Sequence, residues 1–183
     1  MIKQCLKVAF ILFAICAVSV ILLAVINQIT APYIEINTQR TTMETLSAVS
    51  GGYSQGEQRE GNGGDISYVI PLSDESGNIV GYILELTTTG YGGDIVIAAS
   101  YYTDGSVLSA KVMSNSETPG LGKKAEESWY MAMFEGLGGD QALPESKNDL
   151  ADPSAVSGAT VTFNGVSSAI RSGSDYVKSL GGR

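Results

Sequence analysis

Three short stretches hold the residues whose types and spacing suit chemistry. Ser157-Gly158-Ala159-Thr160-Val161-Thr162 places hydroxyls among residues with almost no side-chain bulk. Gly90-Tyr91-Gly92-Gly93-Asp94 and Glu117-Thr118-Pro119-Gly120-Leu121-Gly122 lie upstream. Gly158 and Ala159 leave the next hydroxyl open to an incoming group, and glycine lets the backbone approach that group closely. A helix starting here offers N–H groups and a positive dipole end to a phosphate. The pattern suits a phosphoester on Thr160, with Thr162 as a further hydroxyl donor. An ordinary turn into a helix, capped by Thr160 or Thr162, uses the same residue types.

Composition narrows the chemistry. The 183 residues include 11 Lys and Arg against 19 Asp and Glu, a formal net charge of −8. Lys3 and Lys7 sit at the N-terminus, so the body is more acidic still and lacks the basic footprint that nucleic acid requires. The chain has no His, which removes the commonest general base and metal ligand. Its two cysteines, Cys5 and Cys16, lie in or beside the apolar N-terminus. A four-cysteine metal site and a disulfide framework in the body are both excluded. No metal site and no side-chain catalytic set is expected, so redox chemistry would need a cofactor held by other means.

The elements that must position these residues follow from hydropathy. Residues 8–26 are almost wholly apolar and, as a helix, span roughly 28 Å, close to the ~30 Å hydrocarbon core. Lys3 and Lys7 precede the span and no basic residue follows until Arg40. The bias places residues 1–7 in the cytoplasm and the body outside. A cleaved signal peptide is the rival reading, and the length of the span argues against it. Residues 27–65 read as a helical connection, starting at Thr30-Ala31-Pro32, and then a flexible Gly- and Ser-rich surface loop from Gly51 to Asp65. Residues 66–183 read as the extracytoplasmic domain. Within it, Ser67 to Leu72 and Ile79 to Leu86 alternate as one hairpin around Asp74–Asn78. Asp94 to Ser100 and Val107 to Val112 form a second, turned at Thr103-Asp104-Gly105. A helix is expected over Ala125 to Leu137, ended by Gly138-Gly139, and a last amphipathic one from Phe163. The fold class is α+β: a small antiparallel sheet with packed helices, preceded by one N-terminal transmembrane helix.

With these elements in place, the motif Ser157–Thr162 resembles the S/T-G-A-T-x-T flavinylation motif of FMN-binding domains. These occur in the G subunit of the Rnf electron-transport complex and in the C subunit of the sodium-pumping NADH:quinone oxidoreductase. Glu117–Gly122 is similar to the family's E-T-P-G-L-G segment, and Gly90–Gly93 to its G-Y-G-G element. The resemblance covers residues 66–180, and the single anchor and overall size extend it to the whole chain. It implies FMN joined by a phosphoester to Thr160, placed there by a flavin transferase that uses FAD. It implies membrane and peripheral partner subunits in an Rnf-type ferredoxin:NAD+ oxidoreductase of the cytoplasmic membrane, coupled to movement of Na+ or H+. The quinone-reductase protein is the alternative, and its usual greater length favours the Rnf one. An anchored binding or assembly module without redox chemistry is an alternative of another class.

The remaining candidates carry two readings each. Glu117 is a flavin or transferase contact, or a solvated loop carboxylate. Thr118 and Leu121 are ring contacts, by hydroxyl and by apolar packing, and Leu121 is equally a core plug. Gly120 makes a type II turn with Pro119 whatever the function. Gly122 keeps the segment free of bulk. Lys123 offsets phosphate or flavin charge, or is a surface cation flanking a helix. Tyr91 stacks on the ring or packs at a strand edge. The chain departs from the family pattern at Ser154, where an acidic residue is usual and Asp152 is the nearest substitute. It departs again at Asn115, which stands where His is usual.

Overall fold

The computed structural model describes residues 2–181. The first helix, α1 (Ile2–Val49), contains an 18-residue stretch with mean hydropathy 3.1, none of it buried. Its apolar side chains, Phe10 through Ile36, are exposed along the whole length. Such a surface has no counterpart in water and suits a hydrocarbon environment. The helix start expected at Thr30-Ala31-Pro32 is absent. Thr30 turns its hydroxyl back to the Ile26 carbonyl instead of capping, and Pro32 sits inside the continuous helix. The chain through Thr42 forms one compact unit and the chain from Met43 a second.

The second unit is built on one antiparallel sheet. Its strands are β1 (Ser54–Gln55), β2 (Arg59–Glu60), β3 (Ile66–Ser73), β4 (Ile79–Thr89), β5 (Asp94–Tyr102) and β6 (Val107–Asn115). They run in the order β1-β3-β4-β5-β6, with β2 also on β3. The β3–β4 and β5–β6 turns are each set by an aspartate and a left-handed glycine. Asp74 Oδ1 accepts the N–H groups of Ser76 and Asn78, and Asp104 Oδ1 accepts that of Ser106. Gly77 and Gly105 take φ of 84° and 86°, where a side chain would strain the backbone. The segment Gly51 to Asp65, expected as a flexible loop, supplies β1 and β2. Gly56 donates to Pro71 and Gly61 to Ser67, so the outer edge of β3 does not stay unpaired.

Alternation along the strands divides the core in two. Leu84, Leu86, Ile95, Ile97 and Tyr101 face the last helix, α3 (Thr160–Gly181), through its Phe163, Val166, Ile170 and Val177. Ile83, Ala98, Ile70 and Leu72 face the other way and pack with Val49 at the end of α1. Ser100 Oγ donates to the Val49 carbonyl at 2.6 Å. Between β6 and α3 the chain forms a 3-10 turn, Gly122–Glu126, and a short helix, α2 (Ser128–Ala132). The single helix expected over Ala125 to Leu137 does not form, because its backbone is claimed by β6. Gly136 N–H donates to Val107, and Val107 N–H to Leu137, each at 2.8 Å. The last helix begins at Thr160, three residues before the expected Phe163.

Candidate functional site

The segment before α3 brings the small-residue motif to a helix start. Ala159 N–H donates to Val156, and the Ala159 carbonyl accepts the first intrahelical bond, from Phe163 at 2.9 Å. Ala159 therefore holds the cap position and Thr160 the first helical position, so neither threonine hydroxyl caps the helix. First-turn N–H groups have no partner within a helix and point toward whatever lies at its end. Gly158 takes φ of 80°, and a Cβ there would stand 2.9 Å from Leu121 Cδ2. Backbone conformation and close approach both require glycine at this position. Thr88 Oγ1 donates to the Gly165 carbonyl at 3.1 Å, which ties the start of α3 to β4.

Three loops meet at this helix start and enclose a cavity of about 590 Å3. Tyr91, Glu117, Thr118, Leu121, Gly122, Gly158, Ala159, Thr160, Val161 and Thr162 line it. Its size falls within the range of small-molecule sites, about 300–1,000 Å3. Leu121, Val161 and Tyr91 are exposed at the mouth, Tyr91 at 77%. Thr160 is half-buried, whereas Thr162 is 1% exposed on the floor.

Glu117 organises the floor. It is 3% exposed, against the alternative of a solvated loop carboxylate. Its Oε1 accepts the Gly92 N–H at 2.7 Å and its Oε2 the Thr162 hydroxyl at 2.6 Å. Its own N–H donates to Asn115 Oδ1 at 2.9 Å. Asn115 Nδ2 reaches Glu126 Oε1 at 2.9 Å. The amide at this position therefore serves as a bridge between Glu117 and the 3-10 turn. Burial, with the Glu117 charge second, pushes the Tyr130 phenol well above its ordinary value of 10. That hydroxyl is buried without a hydrogen-bond partner among the described residues.

Not every predicted residue reaches the cavity. Lys123 lies outside the lining and pairs with Glu126 at 3.0 Å. Gly120 shapes the wall from behind: at φ 76° it closes the turn in which Leu121 and Lys123 donate to Thr118. Ser157 is exposed, and its N–H donates to Ser154 at 3.0 Å. Asp152 lines a neighbouring groove of about 820 Å3. Its carboxylate accepts the Ser154 N–H and hydroxyl, which hold it below the ordinary carboxylate value. Val161 is the lining residue that sequence reasoning did not single out. Its place beside Thr160 was visible, but a β-branched residue inside a motif carries no signal of its own.

The geometry agrees with what the chain resembles. The family model described as "FMN-binding domain" matches residues 90–174, which include all three loops. This part of the chain is similar to the FMN-binding domain family. A second model, "RnfG N-terminal region", matches residues 1–49, the extent of α1. The G subunit of an ion-translocating oxidoreductase complex from Methanosarcina acetivorans is 28% identical, over 98% of both chains. The G subunit of the Na(+)-translocating ferredoxin:NAD(+) oxidoreductase complex of Acetobacterium woodii is 29% identical, over 92% of this chain and 89% of the relative. Its counterpart in the proton-translocating ferredoxin:NAD(+) oxidoreductase complex of Clostridium ljungdahlii is 26% identical, over 91% and 88%. Among solved structures, NqrC of Shewanella oneidensis matches 61% of each chain at 22% identity and a TM-score of 0.49.

The residues present fit FMN. The cavity is of cofactor size, has a helix start for an anion, and carries apolar and aromatic side chains at its mouth. A Cβ on Gly122 would collide with Glu117 and Thr162, and one on Gly158 with Leu121.

Proposed function

We propose that this FMN-binding chain is the membrane-anchored G subunit of an Rnf-type ferredoxin:NAD+ oxidoreductase, with FMN held covalently on Thr160. One observation carries the attachment site: of the two motif threonines in the cavity, only Thr162 has its hydroxyl donated within the fold. The Thr160 hydroxyl has no hydrogen-bond partner among the described residues and lies at the cavity wall. In the transfer, Thr160 Oγ1 bonds to the flavin-side phosphorus of FAD while the pyrophosphate bond breaks. AMP leaves with the electron pair, and the hydroxyl proton passes to a base of the flavin transferase.

When bound, FMN supplies the electron-carrying chemistry. The chain's own residues attach and orient it. The first turn of α3 would face the phosphate, and Leu121, Val161 and Tyr91 would shield the mouth. The reading as part of an Rnf complex rests on relatives matched over nearly their whole length, two of which are named as ferredoxin:NAD(+) oxidoreductase subunits. One of these moves protons and the other sodium, so either ion is compatible with similarity of this degree. The other subunits of such a complex are the proposed partners. We place the N-terminus in the cytoplasm and the domain outside, on the basic residues Lys3 and Lys7 that precede the apolar span.

The test is co-expression with a flavin transferase, followed by denaturation and in-gel flavin fluorescence. The parent chain should fluoresce and Thr160→Ala should not. A dark parent chain refutes covalent attachment. Fluorescence persisting in Thr160→Ala moves the site.

A further inference from the structure

We propose that Glu117 is a positioning residue for flavin attachment, acting through Thr162 to fix the helix turn that presents Thr160. This inference rests on Thr160 being the acceptor. The carboxylate joins the three segments that make the cavity. It lies on the Glu117–Gly122 loop, accepts the Gly92 N–H from the glycine loop at 2.7 Å, and accepts the Thr162 hydroxyl from α3 at 2.6 Å. Both contacts are charge-assisted and buried, the class of hydrogen bond that fixes geometry most firmly.

The surroundings leave the carboxylate nowhere else to go. Gly90 and Gly122 pack so closely that a Cβ on either would collide with its oxygens. Asn115 Oδ1 holds the Glu117 backbone from behind at 2.9 Å. Thr162 is two residues after Thr160 in the same first turn, so fixing one side chain fixes the direction of the other's backbone. The bond also commits the Thr162 hydroxyl as a donor in a buried site, which leaves Thr160 to meet the incoming phosphorus.

A nucleophile misplaced by about 1 Å loses up to roughly a hundredfold in rate. The experiment measures flavin incorporation into the full-length apo-chain in detergent, with purified flavin transferase and FAD, as a function of apo-chain concentration. Peptide mass mapping locates the flavin. Thr162→Val removes the donor and keeps the shape. Glu117→Gln keeps the volume but offers one acceptor oxygen to two donors. Both should lower kcat by roughly tenfold or more while KM for the apo-chain stays within about twofold. Thr162→Ser should restore the parent rate, and the double variant should be no slower than Thr162→Val alone. Melting curves of the apo-chains report folding; should one variant fail to fold, the other still decides the question.

Parent-like kcat in the folded variants overturns the proposal, and so does a rise in KM at unchanged kcat, which assigns the pair to transferase docking. A slow Thr162→Ser also overturns it, since the hydroxyl is then not what matters. These outcomes differ from failure of the attachment reading, in which the parent carries no flavin or carries it at a residue other than Thr160.

Discussion

Gly122→Ala tests the architecture of the cavity floor with one added methyl group. The new Cβ would overlap Glu117 Oε2 and stand 2.8 Å from both Glu117 Cβ and Thr162 Oγ1. Neither neighbour is a flexible tip, because both are nearly fully buried and hydrogen-bonded to each other. Overpacking a tight site costs about 1–3 kcal/mol. Pushing Glu117 aside also sacrifices a hydrogen bond to a charged group, worth about 1.5–3 kcal/mol. Together these come to about 2.5–6 kcal/mol, a large share of a typical domain stability of about 5–15 kcal/mol. At roughly 2–4 °C per kcal/mol for a chain of this size, the apo-chain should melt at least about 5 °C lower. Gly120→Ala is the control. It has φ of 76° but nothing within 4 Å of its Cβ, so it costs only backbone strain of about 1–2 kcal/mol. Thermal denaturation of the full chain in detergent compares the two. A Gly122→Ala chain as stable as Gly120→Ala, or more stable, refutes the account of the floor.

Three further outcomes follow from the same structure. Asp65 is held below its ordinary value of 3.8 chiefly by the Ser172 hydroxyl, 2.6 Å away. Its contribution is therefore present above about pH 4 and lost as pH falls through the lowered value. Asp65→Asn should flatten the decline of melting temperature between about pH 5 and pH 2, and an unchanged profile would rule the residue out as a contributor. Phe163 is fully buried and stacks on Phe134 at 5.9 Å. Phe163→Ala should cost about 3–5 kcal/mol in a denaturant titration, and a loss below about 1 kcal/mol would contradict the packing described. If the N-terminus is cytoplasmic, protease added to spheroplasts should digest the domain while leaving an N-terminal tag intact; the reverse pattern inverts the topology.

The sheet was legible because its signals are local. Alternation marks the four long strands, and a Gly-Asn and an Asp-Gly pair mark the β3–β4 and β5–β6 turns, so neither of those two hairpins needs tertiary information. The failures share a cause. Thr30 and Pro32 have the composition of a helix start, yet within a long apolar helix the threonine satisfies itself on the Ile26 carbonyl and the chain continues. Ala125 to Leu137 has helical periodicity, but Gly136 and Leu137 exchange backbone hydrogen bonds with Val107 instead. The Gly51–Asp65 segment lacks any apolar period, and it pairs because β3 presents an open edge to it. In each case a backbone partner distant in sequence or a continuing helix outweighed the local preference.

The site divides along the same line. Its glycines were legible because an absent side chain is visible in a sequence, and the reason for each is steric. What a sequence does not display is where a carboxylate ends up. Glu117 sits in a loop rich in turn-formers, where exposure is the default expectation for a charged residue. Burial becomes acceptable only because two donors arrive from segments 25 and 45 residues away. That requirement links the two classes of residue. Gly90 and Gly122 must be small so that the carboxylate can be enclosed, Gly92 must be small so that its backbone can pass the Ser116 carbonyl, and the carboxylate must be there so that loops with so little side chain have something to close on. The small-residue pattern that opens the cavity to a phosphate is thus also the packing shell of one buried charge. A change at either should be felt at Thr160.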